Sequence, residues 1–467
     1  MIRSLGVSED KVAAFRSVMK RLECGTVSVP LNHREPAGRK IDIAVTRLAA
    51  TDEAHRLGAI AVLPGGPGNS GYLDPVLRAA LRNEEMARLN GRYDIIGFDP
   101  RGVGNSTKVA CPFAPGGPPE PGTLTKEAAR KIYDAQVAAN QKCGGSDSAF
   151  LGQLTTENVA KDVDLVRTAL GESKLNLLGF SWGTYLGMVY RSLFPGHTER
   201  AFLDSVAPPW TRVDQHAKDS ADAAERDFER MAAWLARRDG TYGLGVTARK
   251  VREEVAELVR TYDRSPRTYT DLPRPIDGSA VADLARRNST EWVRAGKALA
   301  ELRTATGATA PPAVKEVLGA PRIGTPVPGA PETLNRTMNL AVACNEDSSR
   351  ANFDTAWRDY QQLVKRHPAT GRSWGLPAMC PGWPLPAQQA TLKRSSGSLV
   401  LAGHLHEFMS VYDWTLQTRR AIGGTVYTVA DDVHVSTTRV PECAADVVRY
   451  FETGKIDSGC QGSPVPD

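Results

Sequence analysis

A serine hydroxyl is a weak nucleophile at neutral pH and attacks an acyl carbon only when a base removes its proton. Ser181 stands where that chemistry could run. Gly179-Phe180-Ser181-Trp182-Gly183 places it between an apolar run, Leu175-Asn176-Leu177-Leu178, and a helical stretch from Thr184 to Phe194. A sharp strand-to-helix turn exposes such a hydroxyl. Crowding there demands small residues two before and two after it, and Gly179 and Gly183 supply them. The following helix also aims backbone N–H groups at an anion forming beside the serine. A glycine-softened loop with an ordinary serine would need neither flanking element.

A tetrahedral intermediate needs two donors directed at its oxygen. The Trp182 N–H is one candidate. Gly65 or Gly66 of Leu63-Pro64-Gly65-Gly66-Pro67-Gly68 is the other, since Pro67 has no N–H. No Lys-Ser/Thr follows these glycines, which argues against a phosphate-cradling loop. Serine turns of this kind take their partners in the chain order serine, acid, histidine. His197, His216, His367, His404, His406 and His434 all follow Ser181, and His434 comes just after the last strand-like run, Thr425–Val429. It is the expected base. The acid should end the preceding strand, near Leu399–Gly403. Glu407 is the first carboxylate there, with Asp413 and Asp204 behind it. His404-x-His406 could share a metal, but no further ligand pattern lies nearby, so neither a metal nor another cofactor is expected.

The elements needed to position these residues are visible as periodicities. Thr26–Pro30, Ile41–Val45, Gly58–Leu63, Tyr93–Phe98, Leu175–Leu178 and Ala201–Asp204 read as strands, with helical patterns such as Thr156 to Leu170 between them. That alternation predicts an α/β fold, a mostly parallel central sheet with a helical cap insertion, and the serine turn makes the α/β-hydrolase type the expected form of it. Residues 1–206 and 396–467 would form the two parts of the sheet core. Residues 207–395, charged and Ala-rich over 214–238, 247–262 and 279–304, would form the mainly helical cap. The stretch between about Gly104 and Thr156 and those near 309–333 and 371–387 read as loop-rich.

The bulk composition is that of an ordinary globular protein, with 41% hydrophobic and 24% charged residues and a net charge of +5 on 467 residues. It carries no charge run that would suit nucleic acid or an anionic membrane, and no apolar stretch long enough to span a bilayer. A small molecule or short peptide is the expected partner. Met1 to Leu22 reads as an amphipathic helix without the apolar centre of a signal peptide. The chain is therefore expected to be cytoplasmic, or secreted with its signal removed. The order of the seven cysteines suggests the pairs 111–143, 344–380 and 443–460 with Cys24 left over, and scattered reduced thiols are the alternative.

Taken together, these motifs resemble the tripeptidyl aminopeptidases of actinomycetes, serine peptidases of the α/β-hydrolase type related to proline iminopeptidase. The resemblance runs through Glu23 to Leu31, Pro64 to Gly71, Gly97-Phe98-Asp99-Pro100-Arg101-Gly102, Gly179 to Thr184, Leu203-Asp204 and the Cys443/Cys460 spacing. It implies a nucleophile at Ser181, a base at His434 and hydrolysis of short peptides or related amides and esters. Glu407 stands where such enzymes carry an aspartate, and Val433 and Val435 flank His434 where they carry glycines. A substrate's free amine would need an acidic partner in the insertion, for which Glu346 and Asp347 are the candidates. A biosynthetic hydrolase or acyl transferase, and a binding protein that has lost catalysis, are the competing expectations.

Overall fold

The alternating patterns close into one nine-stranded sheet in the computed structural model, which describes residues 7–111, 120–320 and 331–467. Its strands are β1 (Leu22–Pro30), β2 (Lys40–Leu48), β3 (Ala59–Leu63), β4 (Asp94–Phe98), β5 (Leu175–Phe180), β6 (Thr198–Asp204), β7 (Ser398–His404), β8 (Thr425–Val429) and β9 (Gly459–Cys460). The order across the sheet is β1-β2-β4-β3-β5-β6-β7-β8-β9. β1–β2 and β2–β4 pair antiparallel, and the remaining pairings are parallel. The expected mostly parallel sheet is the one found.

Both faces of the central strands are covered, which is why they read as apolar runs. Ala61, Leu63, Leu177, Leu203 and Leu401 pack under the helices Thr156–Ala169 and Trp182–Leu193. Ile60, Val62, Leu178, Phe202 and Val400 point the other way, under Glu84–Arg92 and Pro441–Thr453. Each Leu, Ile, Val or Phe among them contributes roughly 1.5–3 kcal/mol when fully buried. A one-residue slip would exchange the two sets. The register, and with it the level at which each strand ends, is therefore tightly held.

The insertion does not behave as one cap. Helices from Val213–Ala236 to Pro312–Leu318 enclose a core of their own around Val255, Trp234, Trp292 and Leu299. The helix Arg336–Glu346 packs instead with the sheet layer, through Met338, Leu340, Ala341 and Cys344. Cys344 is bridged to Cys380, and both join that same cluster with Trp383. A cap boundary drawn at residues 207 and 395 is thus too generous at its C-terminal side.

Other local differences have identifiable causes. Lys126–Ser146 is a helix within a stretch that read as loop, and Arg336–Glu346 and Phe353–Arg366 are helices between the stretches near 309–333 and 371–387, where no element was expected. Each opens on a side-chain cap, with Thr125, Asn335 and Asn352 accepting the N–H groups of Ala128, Met338 and Thr355. The N-terminal helix is short, Val12–Met19, because Leu22 already pairs with Leu48 in the sheet. Residues 1–6 and 321–330 lie outside the described residues. Among the described residues no helix is long and apolar enough to cross a membrane.

Three disulfides join Cys111 to Cys143, Cys344 to Cys380 and Cys443 to Cys460, and Cys24 is free and exposed. They span 32, 36 and 17 residues, loops whose closure is worth about 3–4 kcal/mol each by restricting the unfolded chain. Thiol titration in denaturant without reductant should therefore find one reactive cysteine per chain. After reduction it should find seven. A near-full count before reduction would overturn the pairing.

Candidate active site

β5 ends at Phe180, and Ser181 turns the chain into the helix Trp182–Leu193 with φ 54° and ψ −123°. A non-glycine residue in this region is strained by roughly 1–3 kcal/mol and persists only where its surroundings hold it. Here the Ser181 N–H donates to Asp204 O at 3.0 Å, and the Thr184 N–H and Oγ1 donate to Ser181 O at 2.8 and 2.6 Å. The flanking glycines are obligatory. A Cβ on Gly179 would lie 2.7 Å from Gly183 O, and one on Gly183 only 2.2 Å from Leu63 O. Backbone meets backbone at both points, so no side-chain adjustment could make room.

A cleft of about 720 Å³ opens over this turn, lined by Ser181, Trp182, Tyr185, Gly66 and Pro67 among others. Gly65 lies directly against Ser181, whereas Gly66 faces the cleft. The glycine loop is braced by the helix Arg336–Glu346: Asn335 N–H donates to Gly68 O at 2.8 Å and Asn339 Nδ2 to Pro67 O at 2.8 Å. Trp182 opens its helix, so its N–H has no intrahelical acceptor. Its indole Nε1 donates to Thr156 Oγ1 at 3.1 Å, which fixes the first turn from behind.

The two acidic candidates separate. Glu346 lines the cleft and is buried, its Oε1 and Oε2 accepting from the Thr156 N–H at 2.5 Å and Oγ1 at 3.1 Å. Burial outweighs those bonds and pushes its carboxyl pKa up to about 7. No cationic side chain among the described residues pairs with it. Asp347 turns away to accept from the backbone N–H groups of Val213, Ser349 and Arg350, and from Ser349 Oγ. It organises the helix end and does not line the cleft.

His434 and Glu407 meet. They come from the loops after β8 and β7, and His434 Nδ1 is hydrogen-bonded to Glu407 Oε1. Glu407 is buried while the imidazole keeps 22% of its side-chain surface open. With Nδ1 committed to a carboxylate, the remaining nitrogen, Nε2, is the basic one. Asp413 lies exposed at the start of the helix Tyr412–Ile422 and takes no part. Among the described residues no hydrogen bond joins Ser181 Oγ to His434, a contact that in unliganded sites commonly tightens only with substrate.

Ser205 is the residue that sequence reading missed. It follows Asp204 at the end of β6, level with Ser181 because Phe180 and Asp204 are in register. Its Oγ donates to Glu407 Oε2 at 2.9 Å and accepts the Val435 N–H at 2.8 Å, so it joins the acid to the loop that carries His434. The only available signal was its place beside a strand-end aspartate.

His404 and His406 do not share a ligand. β7 ends at His404, so the two-residue period is not continued to His406. His404 is fully buried, with Nε2 2.8 Å from Asp204 Oδ1 and Nδ1 2.6 Å from Asp431 Oδ1. Asp204 is thereby taken as a partner of His404. Burial opposes the His404 cation, but the two carboxylates hold its pKa well above that of free imidazole, and Asp431 is lowered in return. Among the described residues no group of His, Cys, Asp and Glu is arranged to hold a metal.

Replacing Ser205 with alanine leaves a Glu407 oxygen and the Val435 N–H without their partner, a loss of about 1–3 kcal/mol. Ester turnover (kcat) should fall about ten-fold or more with little change in KM, and its pH profile should shift as the imidazole loosens. An unchanged kcat and profile would remove Ser205 from the positioning role.

Residues 58–363, well over half the chain, match the alpha/beta hydrolase fold family. The chain is 29% identical to a tripeptidyl aminopeptidase of Streptomyces lividans, over 97% of this chain and 86% of that protein. It is 32% identical to the serine protease Hip1 of Mycobacterium tuberculosis, over 54% of this chain and 47% of that one. Carboxylesterase B of Mycobacterium tuberculosis matches at 26% over 95% and 86% of the two chains. With the sheet order, the strained serine turn and the buried acid behind a histidine, these likenesses agree: the chain belongs to the α/β hydrolase fold family.

Proposed function

We propose that this enzyme is an aminopeptidase-like serine hydrolase that cleaves short, unblocked peptides or related amides and esters through an acyl-enzyme. Ser181 Oγ attacks the scissile carbonyl carbon while His434 Nε2 takes its proton. Glu407 holds the Nδ1–H and stabilises the imidazolium. The N–H groups of Trp182 and Gly66 receive the oxyanion, with Gly65 as the close-packed spacer behind Ser181. The imidazolium then gives its proton to the leaving amine or alcohol. A water molecule, deprotonated by His434, releases the acyl group and restores Ser181.

The observation that carries the peptidase reading is Glu346, a buried carboxylate without a protein cation in the cleft that contains Ser181. Such a group is costly to ionise unless something positive arrives, and a substrate ammonium does so. Asp347, expected beside it as a second amine ligand, is left out of this role. Between the two compartments open to the chain, three disulfides support secretion into an oxidising medium.

A fluorophosphonate probe should label the chain covalently, and Ser181→Ala should abolish labelling. Unblocked peptidyl 4-nitroanilides should be turned over in preference to their N-acetylated forms. Glu346 becomes charged as pH rises through about 7, whereas a peptide ammonium loses its charge above about 8. Affinity for unblocked substrates should therefore peak between these values, and Glu346→Gln should raise KM about ten-fold and flatten the rise. Equal turnover of blocked and unblocked substrates would overturn the amine-binding role.

A further inference from the structure

Beyond Glu346, the cleft wall is aromatic and apolar. Trp210, His216, Met409 and Trp414 line it, Trp210 from the segment leading into the cap, His216 from the first cap helix, and the other two from the loop and helix behind Glu407. Trp210 and Trp414 meet edge to face, with centroids 5.8 Å apart at 82°. Their indole N–H groups are already committed, Trp210 Nε1 to Gln417 Oε1 at 3.0 Å and Trp414 Nε1 to Asp219 Oδ2 at 2.8 Å. Neither has an N–H left for substrate; half-buried Trp210 offers carbon surface, and Trp414, 1% exposed, backs it. The His216 ring lies 4.6 Å from that of Trp414. His216 is exposed at the cleft, and the protein packed around its ring lowers its pKa from the ordinary imidazole value. Met409 is 49% exposed, a large apolar side chain left uncovered two residues from Glu407. Arg212, also at the cleft, is forked onto Asp214 at 3.1 and 2.7 Å.

An uncovered thioether beside aromatic faces, with no free charge on that wall, is complementary to a large uncharged group. We infer that Trp210, His216 and Met409, backed by Trp414, form the acyl-side specificity surface, which selects a bulky apolar, preferably aromatic, side chain between Glu346 and the scissile carbonyl. The inference rests on the acyl-enzyme reading of Ser181 and names the substrate class of that same site. The amine end of the acyl group meets Glu346, its side chain meets this wall, and the carbonyl meets Ser181. Acidic and basic side chains would be left desolvated against indole and thioether surfaces and are excluded.

The test uses 4-nitrophenyl esters of acetate, 3-phenylpropionate and succinate, each rate normalised to that with hydroxide. None carries an amine, so Glu346 does not enter. The phenylpropionate ester should exceed acetate in kcat/KM by about ten-fold or more, with the anionic succinate ester lowest. That ratio should collapse to about three-fold or less in Trp210→Ala/Met409→Ala, and in His216→Glu, while His216→Phe keeps it. Fluorophosphonate labelling and the thermal midpoint report whether each variant is folded. Labelling of Ser181 with a flat ester profile, or a ratio kept in the folded double variant, would overturn the specificity surface alone. No labelling and no ester turnover would overturn the acyl-enzyme reading together with it.

Discussion

The site hangs from one buried ion cluster. His404, at the end of β7, is pinned between Asp204 at the end of β6 and Asp431 just past β8. All three side chains are closed to solvent. Thr437 Oγ1 completes Asp204 at 2.5 Å, while Ser436 Oγ and the Ser463 N–H complete Asp431 at 2.7 and 2.8 Å. Removing one member of such a cluster typically costs about 3–5 kcal/mol because it leaves a buried charge uncompensated. Ser205, Glu407 and His434 lie one, three and three residues beyond its three members. The cluster thus locks three strand ends together, and each leads within three residues to a side chain of the site.

The loop carrying His434 is also held from above. Asp432 accepts from the Ser289 N–H at 3.0 Å and Oγ at 2.6 Å, and from Arg230 at 3.1 Å, all groups of the cap. Asp227 of the same cap helix lies close enough that burial and the Asp432 charge push its pKa well above the usual carboxylate range. The cap keeps its own apolar core, so its grip on the loop near the site is polar and directional. A cap shifted by even an ångström would lengthen those bonds. The position of the cap and that of the imidazole are therefore coupled through Asp432, two residues from His434.

What was legible in the chain follows the range of the forces involved. Gly179 and Gly183 answer a clash between neighbouring backbone segments, so their spacing announces the turn without knowledge of the fold. The central strands were visible because both faces are buried, and His434 and Glu407 because strand-end loops keep a fixed chain order. Ser205 and His404 were not legible in their roles. Both depend on the register of β6 against β5 and β7, which no single stretch encodes. Glu346 could be named as an acidic residue, but its separation from Asp347 required seeing which carboxylate the turn at Ser349 and Arg350 consumes. The helix Arg336–Glu346 was hidden because its cap residue, Asn335, follows a stretch rich in glycine and proline.

The strain in the backbone is placed where this network can hold it. Among the described residues four non-glycine positions have positive φ, and three of them, Ser181, Ser205 and Val435, belong to the site. Val435 is the most costly, since a β-branched side chain is poorly tolerated at φ 53°. Similar enzymes were expected to carry glycine there, for which the conformation is free. The valine is held by its N–H bond to Ser205 Oγ and by packing of its half-buried side chain against the core cluster around Tyr427 and Val429. Glycine would relax the turn but would also let it wander, because nothing beyond one hydrogen bond would define its path. With valine, the carbonyl of His434 and the N–H of Val435 are fixed on either side of one peptide unit, the former bonded to the Arg439 guanidinium and the latter to Ser205. An imidazole that must present one nitrogen to Glu407 and the other to Ser181 gains from a backbone with so little freedom. The departure at Val435 is therefore consistent with an active site that is strained and intact, and the same hydrogen bond through Ser205 explains how it tolerates both the valine and the longer acid side chain at Glu407.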